Sequence, residues 1–458
     1  MIKQYLTCLV VVFAIKANSQ TAWNYELVYN WNDTTIIGTW AYNNVYNSVY
    51  GFVMNGREFA VIGSTDGTHI FDITDGANST MVAYVPGREQ GDNIVHREYN
   101  YYSGYVYAVT DEGDGSLQII DCNQLPGSFS LVYDEDSLIK TSHTVEVDTV
   151  NAKIYFNIAN HQSNVVVCSL ADPEDPQLLV EYINAGSIHD CYVVNDTAFL
   201  NASNNGMHVV DFSDAQNPVE LGSITNYPFM GYNHSGWRNL AGDIYLMCDE
   251  NHGYEVKVLD VSDLTDIQTL STFTSGVDSN SVPHNVQMRG DVAYFSYYHD
   301  GLQVFDIADP ANPVKIGYYD TYSPTDHDSY RGAWGVYAGL PSGRILISDM
   351  QYGLFVLQEI DTTLSIANEI RDSDHYKINT YPQPASGFFM AEIFTHQQVD
   401  AVFSLVDLQG RIVLNLEKQL HQGNNSLRFD LPQIESGIYL LKAKIDDQNI
   451  SSKIVIAK

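Results

Sequence analysis

The chain has 458 residues, enough for more than one domain, and its 56 acidic against 22 basic side chains leave a formal charge of −34. That excess repels nucleic acid and anionic membrane surfaces, admits cations and neutral or basic partners, and helps keep an exported protein soluble. Val, Ile, Tyr and Phe recur throughout and no long amphipathic helix is legible, which predicts an all-β chain.

The first twenty residues, MIKQYLTCLVVVFAIKANSQ, read as a signal peptide. Lys3 supplies the positive start, Leu6 to Ile15 the apolar segment, and Ala17-Asn18-Ser19 small residues before a cut. The apolar run is too short for a membrane anchor, and the rest of the sequence offers no transmembrane segment. Cys8 falls inside this leader; Cys122, Cys168, Cys191 and Cys248 remain. They are too few and too dispersed for a disulfide scaffold, leaving buried thiols, one disulfide or a thiolate ligand as the open readings.

From Asp66 onward one phrase returns. DGTHIFDI is followed by GSLQIIDC from Gly115, NVVVCSL from Asn164, GMHVVDFSD from Gly206, GYEVKVLDVSD from Gly253, GLQVFDIADP from Gly301 and GLFVLQEI from Gly353. A period of roughly 43 to 52 residues belongs to a four-stranded blade, so residues 21–360 are expected to form a seven-bladed β-propeller. In the sixth unit the strands read from Pro283, Val292, Leu302 and Pro313. The Asp309 to Pro313 and Asp214 to Pro218 segments are turns in which Asp and Asn cap the bend and Pro opens an outer strand.

The histidines follow a second rhythm. His96, His143, His189, His234 and His284 each begin an inner strand, roughly seventeen to twenty residues ahead of the phrase. Tyr50 and Trp334 stand at about that level in the first and seventh units. Inner strands line a propeller's channel, so these side chains are expected on its face, with His299 added from a neighbouring turn.

The turns between second and third strands carry Asp111, Glu112, Asp114, His161, Asp249, Glu250, His252, Asp300 and Asp349, on the same face because successive strands are antiparallel. Asp111, Asp114, His161, Asp249, His252 and Asp300 are candidate ligands for a divalent cation such as Ca, Zn or Mn. Imidazoles held by carboxylates suit a cation, could hold a carbohydrate or anion, or could supply a general base. The same residues could simply lock blade to blade. No nucleophile elbow, phosphate loop, HExxH helix or complete calcium loop is present.

Residues 361–378 lack the blade pattern and read as a linker. Residues 379–458 alternate as a small antiparallel β-sandwich, turning at Gln409-Gly410 and Asp446-Asp447. Tyr381-Pro382-Gln383-Pro384-Ala385, Asp407 to Arg411, Ser436-Gly437-Ile438-Tyr439 and Lys453 resemble the type A C-terminal sorting domain of the Bacteroidetes type IX secretion system, although Gln383 stands where that family usually has Asn. The resemblance implies that the type IX machinery handles the tail and that the product is extracellular or attached to the outer cell surface. The phrases LQVFDIADPANP and MHVVDFSDAQNP, with the inner-strand histidines, resemble LVIVD-repeat proteins of the choice-of-anchor B kind, a resemblance that implies no particular activity.

The sequence therefore predicts a propeller that binds a ligand, cation or partner, a glycan or surface protein among them, on its histidine face. A metal-dependent hydrolase or lyase acting on an extracellular polymer is the alternative, and a purely structural surface protein the third reading.

Overall fold

The computed structural model describes residues 21–162, 164–360, 378–381, 385–395, 398–407, 411–421, 423–431, 434, 436–445 and 448–456. The expected leader, residues 361–377 of the expected linker and the turns at Gln409-Gly410 and Asp446-Asp447 lie outside the described residues. The chain divides into two compact units, Met1–Thr363 and Leu364–Lys458.

Among the described residues the first unit contains seven antiparallel sheets and no α-helix, each sheet with the four-strand order of a propeller blade. The fourth sheet is representative: Asp190–Val194, Thr197–Asn201, Met207–Asp211 and Val219–Ile224 lie side by side in chain order. The first strands of successive sheets touch one another in turn. The last of them, Ala333–Tyr337, returns to the first, Tyr46–Met54, and closes the cycle.

The seventh sheet draws its outer strand from the other end of the unit. Tyr25–Trp31 pairs antiparallel with Gly353–Glu359, while Ala22–Trp23 adds a fifth strand to the sixth sheet against Val314–Tyr319. Edge donors and acceptors of the last two sheets are thereby paired with residues from the beginning of the same unit.

Apolar side chains pack between adjacent sheets. Tyr155, Val165 and Val167 of the third sheet share a core with Cys191, Val193 and Leu200 of the fourth. Phe199 and Val209 of the fourth meet Tyr245 and Leu259 of the fifth. Every pairing of a third strand with its outer neighbour shifts register once, a repeated bulge that adds twist.

The glycine opening the repeated phrase has a steric cause. Gly206 and Gly301 have φ of 82° and 72°. A Cβ there would lie 2.1 Å from the carbonyl oxygen of Ile224 and 2.2 Å from that of Tyr319, on the outer strands of the same sheets. The turns before the outer strands are held as expected: Asp214 accepts from the Gln216 amide at 3.1 Å and the Asn217 side chain at 2.9 Å, and Asp309 does the same with Ala311 and Asn312. The four described cysteines are buried and free.

The second unit has a three-stranded sheet, Ile378–Tyr381, Phe388–Thr395 and Gly423–Asp430, and a four-stranded one ordered Ile412–Leu420, Val399–Asp407, Gly437–Ile445, Gln448–Ile456. Phe389, Phe403, Phe429, Leu441 and Ile454 contribute to one buried core.

Candidate functional site

Five imidazoles and one indole form a closed circle at the heads of the inner strands. Neighbouring ring centroids are 4.7 Å apart from His96 to His143, 4.1 Å to His189, 4.0 Å to His234 and 4.2 Å to His284. Trp334 completes it, 5.0 Å from His284 and 5.2 Å from His96. The first sheet lends the small Ser48 to the same wall. Tyr50 lies farther along that strand, its ring 4.8 Å from Tyr337.

Each inner strand begins where the second strand of its sheet ends, so the backbone fixes where these side chains start. The amides of His143, His189 and His284 donate to the carbonyls of Asn157, Asn201 and Ser296. Their Nδ1 atoms are then held by neighbouring sheets. His189 Nδ1 donates to the His234 carbonyl at 3.2 Å and His284 Nδ1 to the Trp334 carbonyl at 2.5 Å. A carbonyl only accepts, so Nδ1 carries the proton in both, and Nε2 of the neutral ring keeps its lone pair.

Carboxylates hold the next two. His143 Nδ1 meets Asp111 Oδ2 at 2.8 Å, and His96 Nδ1 meets Glu112 Oε1. Glu112 Oε2 also accepts the amides of Val95 and His96 at 3.2 and 3.0 Å. Desolvation, followed by the neighbouring imidazoles, keeps His189 and His234 well below the usual histidine range. Desolvation foremost pulls His284 down to about 3. These three rings are uncharged donors at neutral pH.

Two groups gather imidazole nitrogens and a carboxylate that could hold a cation: His96, Asp111 and His143, and His189, His234 and Glu250, with one ligand atom from each residue within 4.8 Å of the others in its group. Glu250 reaches the circle from the loop after Ile244–Asp249. Its oxygens lie 3.9 Å from His234 Nε2 and 3.9 Å from His284 Nε2, and the Tyr298 hydroxyl donates to Oε1 at 2.5 Å. Burial pushes the Glu250 carboxyl up to about 7. All five imidazoles and Glu250 line a cavity of about 490 Å³ whose wall also includes Tyr42, Tyr232, Tyr298, Tyr330 and Trp334.

A smaller chamber of about 90 Å³ adjoins the circle and is lined by Glu98, Glu146 and Asp190. Burial raises all three acids, Glu98 to about 7, Asp190 to about 6 and Glu146 well above the carboxylate range. Sequence reasoning passed over this set. The available signal was position on the inner strands, immediately after His189 for Asp190 and two residues after His96 for Glu98.

The six residues named as metal candidates do not gather together. Asp111 joins the circle, and the exposed His161 has Nδ1 3.9 Å from Asp111 Oδ1. Asp114 is exposed and paired with Lys140 at 2.6 Å. Asp249 is buried and occupied: Lys257 Nζ reaches Oδ2 at 2.8 Å, the Gly231 amide donates at 2.6 Å and the Tyr227 hydroxyl at 3.1 Å. Half-buried His252 donates from Nδ1 to the Asn280 carbonyl, with its ring 5.1 Å from Tyr330 on the cavity wall. His299 and Asp300 lie apart from the circle: His327 Nε2 donates to Asp300 at 2.8 Å, and the His299 ring packs 4.9 Å from His327.

Family comparison places both units. Residues 185–226 and 283–321, the fourth and sixth sheets, match the LVIVD repeat, and residues 379–457 match the secretion system C-terminal sorting domain. No curated protein matches the chain. The chain thus carries LVIVD repeats and a type IX sorting tail, and the tail marks it for export to the cell surface or the extracellular space. Among the described residues no helix is long and apolar enough to cross a membrane.

Proposed function

We propose that the seven sheets are the blades of one propeller over residues 21–360, that residues 379–458 form a sandwich sorting domain, and that the exported propeller binds a divalent transition-metal cation on its histidine circle. The observation that carries this reading is the anchoring of Nδ1 on the imidazoles. A histidine that ligates through one nitrogen gives its other N–H to a carbonyl or carboxylate, which fixes tautomer and ring orientation. His96, His143, His189 and His284 each have that partner. Imidazole donors suit zinc-like ions better than calcium, which takes oxygen ligands at 2.3–2.6 Å.

The test is elemental analysis of protein purified without a metal-binding tag and dialysed extensively. Near-stoichiometric metal that disappears in the His189→Ala/His234→Ala double variant supports the reading; metal-free wild-type protein that also fails to take up added Zn²⁺ overturns it. A hydrolase or lyase is the second reading, favoured by the position of Glu250 beside two imidazoles in a cavity of about 490 Å³. A metal ion held by the imidazoles would supply the activation of water, and Glu250, 3.9 Å from the His234 and His284 Nε2 atoms, would be the carboxylate at hand to take a proton.

A further inference from the structure

Resting on the metal-binding reading, we infer that the circle holds two cations side by side, one at His96, Asp111 and His143 and one at His189, His234 and Glu250. The two groups share no residue, and each has its own carboxylate, delivered by a different loop. They adjoin where His143 and His189 pack at 4.1 Å.

The size of the circle argues against a single axial ion. Neighbouring centroids are 4.0 to 5.2 Å apart. A near-hexagon of those sides has its centre about 4 to 5 Å from each centroid, whereas zinc bonded at about 2.0–2.1 Å to a ring nitrogen sits only about 3 Å from that ring's centroid. An ion on the axis reaches few of the imidazoles; an ion drawn toward a neighbouring pair reaches both members and the carboxylate above them.

The first group has the more open surroundings. Asp111 Oδ2 is engaged by His143, while Oδ1 faces His161 Nδ1 at 3.9 Å. His161 is exposed on its loop and supplies a fourth nitrogen if its side chain turns inward. In the second group, His284 stands 3.9 Å from Glu250 and offers the corresponding fourth donor. Three or four ligands from nitrogen and carboxylate oxygen are the number zinc takes in protein sites.

The experiment is a Zn²⁺ titration of the full chain, stripped of metal, against a chromophoric chelator, with wild type, His96→Ala and His234→Ala compared. Two equivalents in wild type, falling to one in each variant, are expected. One equivalent in wild type, lost in His234→Ala and kept in His96→Ala, overturns the pair while leaving the metal-binding reading intact. One equivalent lost in both variants also overturns it, since the ion is then shared. No uptake by folded wild type sinks both readings. If either alanine variant fails to fold by circular dichroism, His96→Gln and His234→Gln preserve volume and give the same count.

Discussion

The Nδ1 atom of His143 lies 2.8 Å from Oδ2 of Asp111, so a loop of the second sheet fixes the ring that heads the inner strand of the third. The same bond ties two sheets together and settles which nitrogen of His143 is available. Replacing Asp111 by Asn keeps an acceptor of equal size but removes the charge. Asp111→Asn should leave thermal stability nearly unchanged and remove one of the two zinc equivalents, because it takes away both the carboxylate of the first group and the charged partner of His143. Both equivalents retained at equal affinity in a chelator competition would reduce the pair to a structural tie.

A deeper ion pair makes the opposite prediction. Lys257 and Asp249 are both fully buried, 2.8 Å apart, on adjacent strands of the fifth sheet. Removing only the lysine leaves an uncompensated carboxylate in the interior. Lys257→Met should cost about 3–5 kcal/mol in urea unfolding, and the double change Lys257→Met/Asp249→Asn should recover most of it. A single-variant loss below about 1 kcal/mol would mean that water reaches Asp249.

These two carboxylates show what was legible in the sequence. Asp111 follows a second strand and Asp249 ends one, positions that spacing does not distinguish, yet one faces the circle and the other a buried lysine eight residues downstream. Spacing reports which end of a sheet a residue occupies but not which way its side chain turns. The repeat was readable because four strands per unit and a glycine with positive φ impose a fixed period. The inner-strand histidines inherited that period, whereas His299, one turn away from it, packs against His327. The partner of Gly353–Glu359 was illegible because it lies more than three hundred residues upstream, at Tyr25–Trp31, with no repeat phrase of its own. Glu98, Glu146 and Asp190 alternate with the buried Tyr99, Val147 and Cys191, so the pattern was present, but alternation alone does not say that the polar face of an inner strand lines an enclosed chamber.

Buried acids set the pH response of stability. Asp349 accepts from the Gln351 and Tyr352 amides and the Thr321 hydroxyl, yet burial raises its carboxyl from 3.8 to about 7. Between those values the native state holds a proton that the unfolded chain has released. The contribution of this one group is therefore fully present below about pH 4 and is lost as pH rises toward and through about 7, by up to about 4 kcal/mol. Asp349→Asn should flatten part of that decline in urea unfolding at pH 4.5, 6.0 and 7.5. Identical slopes in variant and wild type would show that Asp349 ionises freely in the native state.

The completion of the seventh sheet by Tyr25–Trp31 is open to a direct test from both sides. Trp31 packs its ring 5.3 Å from Tyr46, 4.7 Å from His69 and 4.9 Å from Phe71, joining the seventh sheet to the first. Opposite it, Gly353 has φ of 85°, and a Cβ there would lie 2.0 Å from the Trp31 carbonyl oxygen. Trp31→Ala removes the packing and keeps the strand, so its cost should fall at or below the low end of the ~3–5 kcal/mol typical of fully buried tryptophan. Gly353→Ala attacks the backbone instead, forcing the two strands apart with strain that no side-chain rotation relieves. Both variants should lower the unfolding temperature of the first unit, and the glycine change should also raise hydrogen exchange along Tyr25–Trp31 and Gly353–Glu359. If Gly353→Ala left exchange in both strands unaltered, the close approach at Gly353 would not be what holds Tyr25–Trp31 on the seventh sheet.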